Sequence, residues 1–343
     1  MPGTPVTAAT PGVVEAITDT VARVVLPLPL PDLRSVNTYV LHSPSDGVTL
    51  VDPGWAFPPA ETALIQALDE LGYVISDVDR IVVTHQHWDH YSLGVQWRDR
   101  HGIELMLGRE ERHSIESFAR LPHEVHPTQV PQLRRAGAVE LAAEIDALDW
   151  EPFERGVSFD YPDRWLDDGD VIDCGVAAIT VRATPGHTRG HVVFEDSARR
   201  LIFTGDHLLP RITPSLAFER APQPMALRSY LDSLQLILEL PDARMLPAHG
   251  TTDRTTHVRA DELLAHHATR LQIIGDLVAA GRPRCIDIAA EMRWTRGELA
   301  LDALNAVHRM TAVLEVQAHL DLLEFQGWVT GADVDGVRHY QVA

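Results

Sequence analysis

The sequence predicts an α+β fold with a small helical C-terminal module, and three observations predict it. Four short apolar β-like runs each stop at a group of histidine or aspartate residues, a long helical pattern follows the last of them, and the chain closes on a hairpin signal. A chain of 343 residues is long enough for a large core and two domains, placed here at 1–253 and 254–343.

The elements follow in order. Residues 21–52 alternate β-like runs with turns, including Val36 to Leu41 and Gly47 to Val51. Pro59 to Leu71 reads as an amphipathic helix, with proline near its start and Gly72 at its end. Residues 79–84 form a β-branched run suited to a buried strand, which ends in Thr84-His85-Gln86-His87-Trp88-Asp89-His90. An insertion over 109–165 holds one helix, Leu133 to Leu148, followed by Trp150, Phe153, Phe159, Tyr161 and Trp165. It reads as a lid over the edge of the sheet, since long insertions shape pockets; a satellite hydrophobic cluster is the plainer alternative.

Three further runs end the same way. Thr180 to Thr184 leads into Pro185-Gly186-His187-Thr188-Arg189-Gly190-His191, Arg200 to Thr204 into Gly205-Asp206-His207, and Ala243 to Leu246 into Pro247-Ala248-His249-Gly250. A small or turn residue beside each candidate ligand permits a sharp bend. Helices are expected over 254–280, Ile286 to Met292, Glu298 to Val307 and Met310 to Phe325. The hairpin turns at Asp335-Gly336.

The chemistry follows from the donor types. In an extended segment alternate side chains share a face, so His85 and His87 can reach one ion, while Asp89 and His90 lie beyond the reversal and can face a second. Imidazole and carboxylate are ligands preferred by zinc and similar divalent metals. Spacing alone supports a shared metal cluster and no finer division.

The order H-x-H-x-D-H, PGHT-x-GH, TGD and PAHG, spread over residues 84–250, resembles the metallo-β-lactamase superfamily. That resemblance implies a four-layer αβ/βα sandwich. It implies that His85, His87 and His187 bind a first metal and that Asp89, His90 and His249 bind a second, with Asp206 bridging; Asp52 matches a structural position near the site. Two divalent ions are implied, Zn2+ foremost and Mn2+ or Fe2+ as alternatives. A cysteine ligand common in secreted antibiotic-hydrolysing members is absent, and redox members carry glutamate where this chain has His87, so hydrolysis remains. The expected reaction is attack by metal-bound hydroxide on a small ester, lactone or acyl thioester. Asp89 or Asp206 would relay a proton to the leaving group. A phosphodiesterase or endoribonuclease on the same metals is the alternative.

Other histidines read differently. His191 is expected to support the ligands rather than bind, and His207 to point away from Asp206. His113, His123, His126, His266 and His267 read as solvated, packing or substrate-facing, because none has ligand spacing with a partner strand and adjacent helical residues do not face one ion.

Composition bounds the partners. All 29 basic residues are arginine, so lysine Schiff-base and Walker-type chemistry are disfavoured. A net charge of -20 repels nucleic acid, and the stretch from Thr311 to Gly327 carries no arginine, so a winged-helix-like reading of the C-terminal module points to packing, dimerisation or pocket closure rather than to nucleic acid. The residues from Met1 to Ile17 show no basic and apolar leader pattern, no run approaches the roughly 18 apolar residues of a membrane span, and the two cysteines form no motif. The expectation is a cytoplasmic hydrolase acting on a small acyl molecule, with a homodimer as one option for its assembly.

Overall fold

Consecutive residues of the central strands bury on opposite faces. Val40 enters one core while Tyr39 and Leu41 enter another, and Leu105 and Leu107 part from Met106 in the same way. This is the two-residue period of a strand that is apolar on both sides, and such a sheet must be covered on both. The computed structural model describes residues 12–30, 33–43, 47–295 and 297–343; the Met1 to Pro11 part of the leader reading lies outside them.

The first sheet has seven strands in chain order: β1 (Val14–Thr18), β2 (Val21–Pro27), β3 (Ser35–Ser43), β4 (Gly47–Val51), β5 (Val78–Val83), β6 (Glu104–Gly108) and β7 (Arg164–Leu166). The pairs from β1 to β4 are antiparallel and those from β4 to β7 parallel. The second sheet holds β8 (Val171–Asp173), β9 (Ala178–Ala183), β10 (Val192–Asp196), β11 (Leu201–Gly205) and β12 (Arg244–Pro247), in the order β12-β11-β10-β9-β8. Its β11 and β12 are parallel and its other pairs antiparallel.

Tyr39, Leu41, Val82 and Met106 meet Val181, Phe194, Phe203 and Leu246 between the sheets. Helices α1 (Pro58–Glu70) and α2 (Trp88–His101) cover the outer face of the first sheet through Leu64, Leu68, Leu93 and Trp97. After α3 (Arg112–Arg120), α4 (Gln129–Arg135) and α5 (Val139–Asp146), the helices α6 (Ala226–Glu239) and α7 (Thr256–Ala279) cover the second sheet through Leu227, Leu234 and Leu263. The result is the expected four-layer sandwich.

A fourth core joins α4 and α5 to the C-terminal region. Leu133, Leu141 and Ile145 pack with residues of α8 (Cys285–Glu291), α9 (Ala306–Phe325) and the hairpin of β13 (Val329–Val334) and β14 (Val337–Val342). The hairpin turns at Asp335 and Gly336, both at positive φ (50° and 82°), as a two-residue mirror-image turn requires.

Two expected helices change. The single helix over 133–148 is broken into α4 and α5, because Gly137 takes a φ of 81° that ends the first helix. No α-helix spans 298–307 among the described residues. Thr295 and Glu298 sit at φ of 61° and 49°, Trp294 pairs with Leu299 across the turn, and only a short 3-10 turn at Leu301–Ala303 follows. Asn305 then caps α9 by accepting the backbone N–H of His308 at 2.8 Å.

Candidate metal centre

Every donor lies where a strand gives way to a loop or helix. His85 and His87 follow β5, and Asp89 and His90 occupy the first turn of α2, whose cap residue is the extended His87. His187 lies between β9 and β10, Asp206 follows β11, and His249 follows β12. The sandwich therefore gathers the seven expected donors at one edge. Their potential ligand atoms form three overlapping groups, each within 4.8 Å: His85, His87 and His187; His85, His90 and Asp206; and Asp89, His90 and His249.

The contacts divide these donors into halves. His87 Nδ1 stands 3.0 Å from Nε2 of both His85 and His187. On the other side Asp89 lies 3.5 Å from His90 Nε2 and 3.2 Å from His249 Nε2. Asp206 faces both halves, with Oδ2 3.5 Å from His187 Nε2 and Oδ1 3.4 Å from His249 Nε2.

Outward-facing bonds orient the rings. His187 Nδ1 donates to the Ser215 carbonyl at 2.6 Å and His249 Nδ1 to the Ser35 carbonyl at 2.8 Å. His90 Nδ1 donates to Asp52 Oδ2 at 2.9 Å, and His85 Nδ1 lies 3.1 Å from Thr84 Oγ1. An imidazole that donates from Nδ1 turns a lone pair on Nε2 toward the cluster, the arrangement in which histidine binds metal.

Electrostatics separates the halves again. Burial, reinforced by neighbouring imidazoles, lowers His85 well below the usual range, His87 to about 3 and His187 to about 4, so all three are neutral. Burial opposes charge on His90 too, but Asp89, Asp52 and Asp206 outweigh it and raise the group to about 10. His249 is raised by Asp206 and Asp89 against the same burial. The acidic half demands positive charge. Nε2 of His90, Nε2 of His249 and Oδ1 of Asp206 are buried without a hydrogen-bond partner. Three neutral imidazoles, a carboxylate-rich partner set and these inward-facing polar atoms fit a pair of divalent cations.

The remaining histidines separate as their spacing predicts. His191 receives the Asp206 backbone N–H on Nε2 at 3.2 Å, so it holds the ligand loop. His207 packs against Tyr230, with ring centroids 5.2 Å apart. His123 is exposed, His113 and His126 are half-buried, and His267 pairs with His319 at 3.1 Å between α7 and α9.

Beside the cluster, Trp88 stacks on Trp55 and meets Phe118, Trp150 and Phe159 at centroid distances of 4.5 to 5.8 Å. Phe118, Trp150 and Phe159 of the 109–165 insertion thus form an aromatic cluster with Trp88, the residue between His87 and Asp89 in the chain. Sequence reasoning missed Ser35 and Ser215, which act through backbone carbonyls and leave no side-chain signal. It also missed Glu111, which reads as half of an ordinary charged Glu110-Glu111 pair.

The profile of the Metallo-beta-lactamase superfamily matches residues 31–249, well over half of the chain. The chain belongs to that superfamily. It is a metal-dependent hydrolase, by family and by donor set. A beta-lactamase-like protein 2 homolog of Caenorhabditis elegans is 27% identical over 264 residues, 75% of this chain and 70% of that protein. A hydroxyacylglutathione hydrolase of Ruegeria pomeroyi is 27% identical over 259 residues, 74% of this chain and 78% of its own. Among solved structures, a metallo-beta-lactamase family protein from Thermus thermophilus superposes with a TM-score of 0.77 at 27% identity, covering 96% of this chain and all (100%) of that one. A beta-lactamase domain protein from Burkholderia ambifaria reaches 0.80 at 24% identity, over 99% and 97% of the two chains, and shares the fold. Both alignments run through the C-terminal helices.

Proposed function

We propose that this superfamily member is a dinuclear hydrolase of a small acyl substrate, a thioester foremost and an ester or lactone next. The observation that carries the reading is Asp206, whose two carboxylate oxygens lie 3.5 and 3.4 Å from His187 and His249 on opposite halves of the cluster. His85, His87 and His187 would hold one ion, and Asp89, His90 and His249 the other. Zn2+ suits these donors, as do Mn2+ and Fe2+. When bound, such ions supply a water activated at neutral pH and charge stabilisation for the acyl oxygen.

The residues of the chain do the rest. Asp52, Ser35 and Ser215 fix the rings of His90, His249 and His187, so that the donors need not reorganise during turnover. Asp206 or Asp89 would carry a proton to the departing sulfur or oxygen. The aromatic face around Trp88 would suit an apolar acyl group. The thioester preference is supported by relatives named as hydroxyacylglutathione hydrolases. Residues 1–253 would form the catalytic unit and 254–343 a second unit that packs, dimerises or closes the pocket. A cytoplasmic location accords with two buried free thiols, and among the described residues no helix is long and apolar enough to cross a membrane.

The test is a hydrolysis panel on metal-reconstituted protein, spanning acyl thioesters, lactones, aryl esters, bis-aryl phosphodiesters and single-stranded RNA. Turnover of a thioester, lactone or ester well above the phosphodiesters is expected. Turnover of phosphodiesters or RNA alone would overturn the acyl reading.

A further inference from the structure

Glu111 is fully buried and lies outside the ligand set, between the two loops that supply all three histidines of the first half. The backbone N–H of Gln86, which separates His85 from His87, faces the Glu111 carboxyl group. Thr188, which follows His187, donates its hydroxyl to Glu111 Oε1. One side chain thus meets both loops, and it is hydrogen-bonded to the second. Their approach is tight: a Cβ on Gly190 would come within 2.2 Å of the Glu111 backbone nitrogen, and one on Gly108 within 2.1 Å of the Gly190 carbonyl oxygen. Neither glycine has room for a side chain, so the turn carrying Glu111 and the turn carrying His187 interlock through bare backbone.

A buried carboxyl group is costly unless it is hydrogen-bonded or neutral. Burial, and then the adjacent Glu219, raise Glu111 well above the usual carboxylate range. Glu219 is itself buried and lies 3.4 Å from Ser114 Oγ. The hydrogen bond that Glu111 accepts from Thr188 and its place against the Gln86 N–H both lie on loops that carry candidate ligands.

We infer that Glu111 is a positioning residue of the metal centre, a clamp that sets the spacing of His85 and His87 against His187 and so tunes the affinity of the first ion alone. The inference rests on the metal assignment above and is independent of the substrate. An amide keeps an acceptor oxygen for the Thr188 hydroxyl, so Glu111→Gln should preserve the clamp and Glu111→Ala should remove it.

The test is stepwise Zn2+ binding to the full chain by chelator competition, with visible absorption of the Co2+-loaded protein as a second readout. The two binding events are assigned by which one His87→Ala and which one His249→Ala abolishes. Glu111→Ala should weaken the His87 event about 10- to 100-fold, leave the His249 event near the wild-type value and change the Co2+ spectrum. Glu111→Gln should restore both readouts. Val313→Ala, a truncation in the C-terminal core, should lower Tm without moving either event. Should Glu111→Ala not fold, Thr188→Val carries the test, with Thr188→Ser expected to restore affinity. Two intact binding events with the His87 event unmoved in Glu111→Ala or Thr188→Val, or an equal weakening of both, would overturn the clamp and leave the metal assignment standing. Absence of both events from the wild type would remove both readings.

Discussion

Asp52 accepts a 2.9 Å hydrogen bond from Nδ1 of His90 while holding a left-handed backbone, at φ 53°. Its other contacts explain why that conformation is kept. Oδ1 accepts the Thr84 backbone N–H and Oδ2 the Thr84 hydroxyl, each at 2.8 Å, so the end of β4 grips the end of β5 where the ligands begin. Aspartate tolerates this backbone region better than most residues.

Asp52→Ala should therefore act on the second ion and on stability together. It strands a buried Thr84 N–H, which costs about 1–3 kcal/mol, and releases the His90 ring. Zn2+ affinity of the event assigned to His249 should fall about 10- to 100-fold, with a lower Tm. Competition titration and a thermal melt check both; unchanged affinity would show that His90 is oriented by something else.

Asp206→Ala should reduce activity on the order of 10² to 10⁴ fold, because its carboxylate faces both halves of the cluster. His113→Ala should leave the rate near wild type, since that ring meets Glu110 outside the cluster. Steady-state kinetics with metal quantified in each preparation decides. Wild-type turnover by a fully loaded Asp206→Ala protein would refute the bridging role.

Glu219 sets a pH dependence of stability. Burial raises its carboxyl from 4.5 to about 8, so between those values the folded protein keeps a proton that the unfolded chain has released. Stability contributed by this group is complete below pH 4.5 and falls as pH climbs through the window to about 8. Glu219→Gln should flatten that part of the curve, gaining on the wild type as pH rises. Denaturant melts of both proteins at pH 5 and pH 8.5, with metal saturating, give the comparison; parallel curves would mean that Glu219 is ionised in the native state.

The cluster of candidate donors was legible because its chemistry is written in side chains. His85, His87, Asp89 and His90 stand together after a β-branched run, and His187, Asp206 and His249 each stand beside a turn residue. The runs themselves marked strands that end at one edge of a sheet, and the four-layer sandwich was legible through the resemblance that their motifs carry. What escaped acts through backbone or through distance. Ser35 and Ser215 orient histidines by their carbonyls, and Glu111 gains its partners only when 111, 86 and 188 are folded together. The helix boundaries in 133–148 and 298–307 failed at local φ values that residue pattern does not specify, Gly137 in one and Thr295 and Glu298 in the other.

Charge separates acyl from phosphoryl substrates. With a net charge of -20 and no arginine between Thr311 and Gly327, kcat/KM for a small thioester should respond only modestly to salt. An RNA substrate would lose affinity by roughly 0.7 log units per phosphate contact for each tenfold rise in salt. Kinetics across a salt series distinguishes the two, and a steep slope with RNA as the only substrate would reverse the assignment.

Metal content is the most direct measurement of the central claim. Protein purified after growth in metal-sufficient medium should carry close to two divalent ions per chain by elemental analysis, as three neutral histidines and a carboxylate-rich partner set joined by Asp206 require. His249→Ala should bring that value close to one. A reproducible content near zero in the wild type would contradict the account.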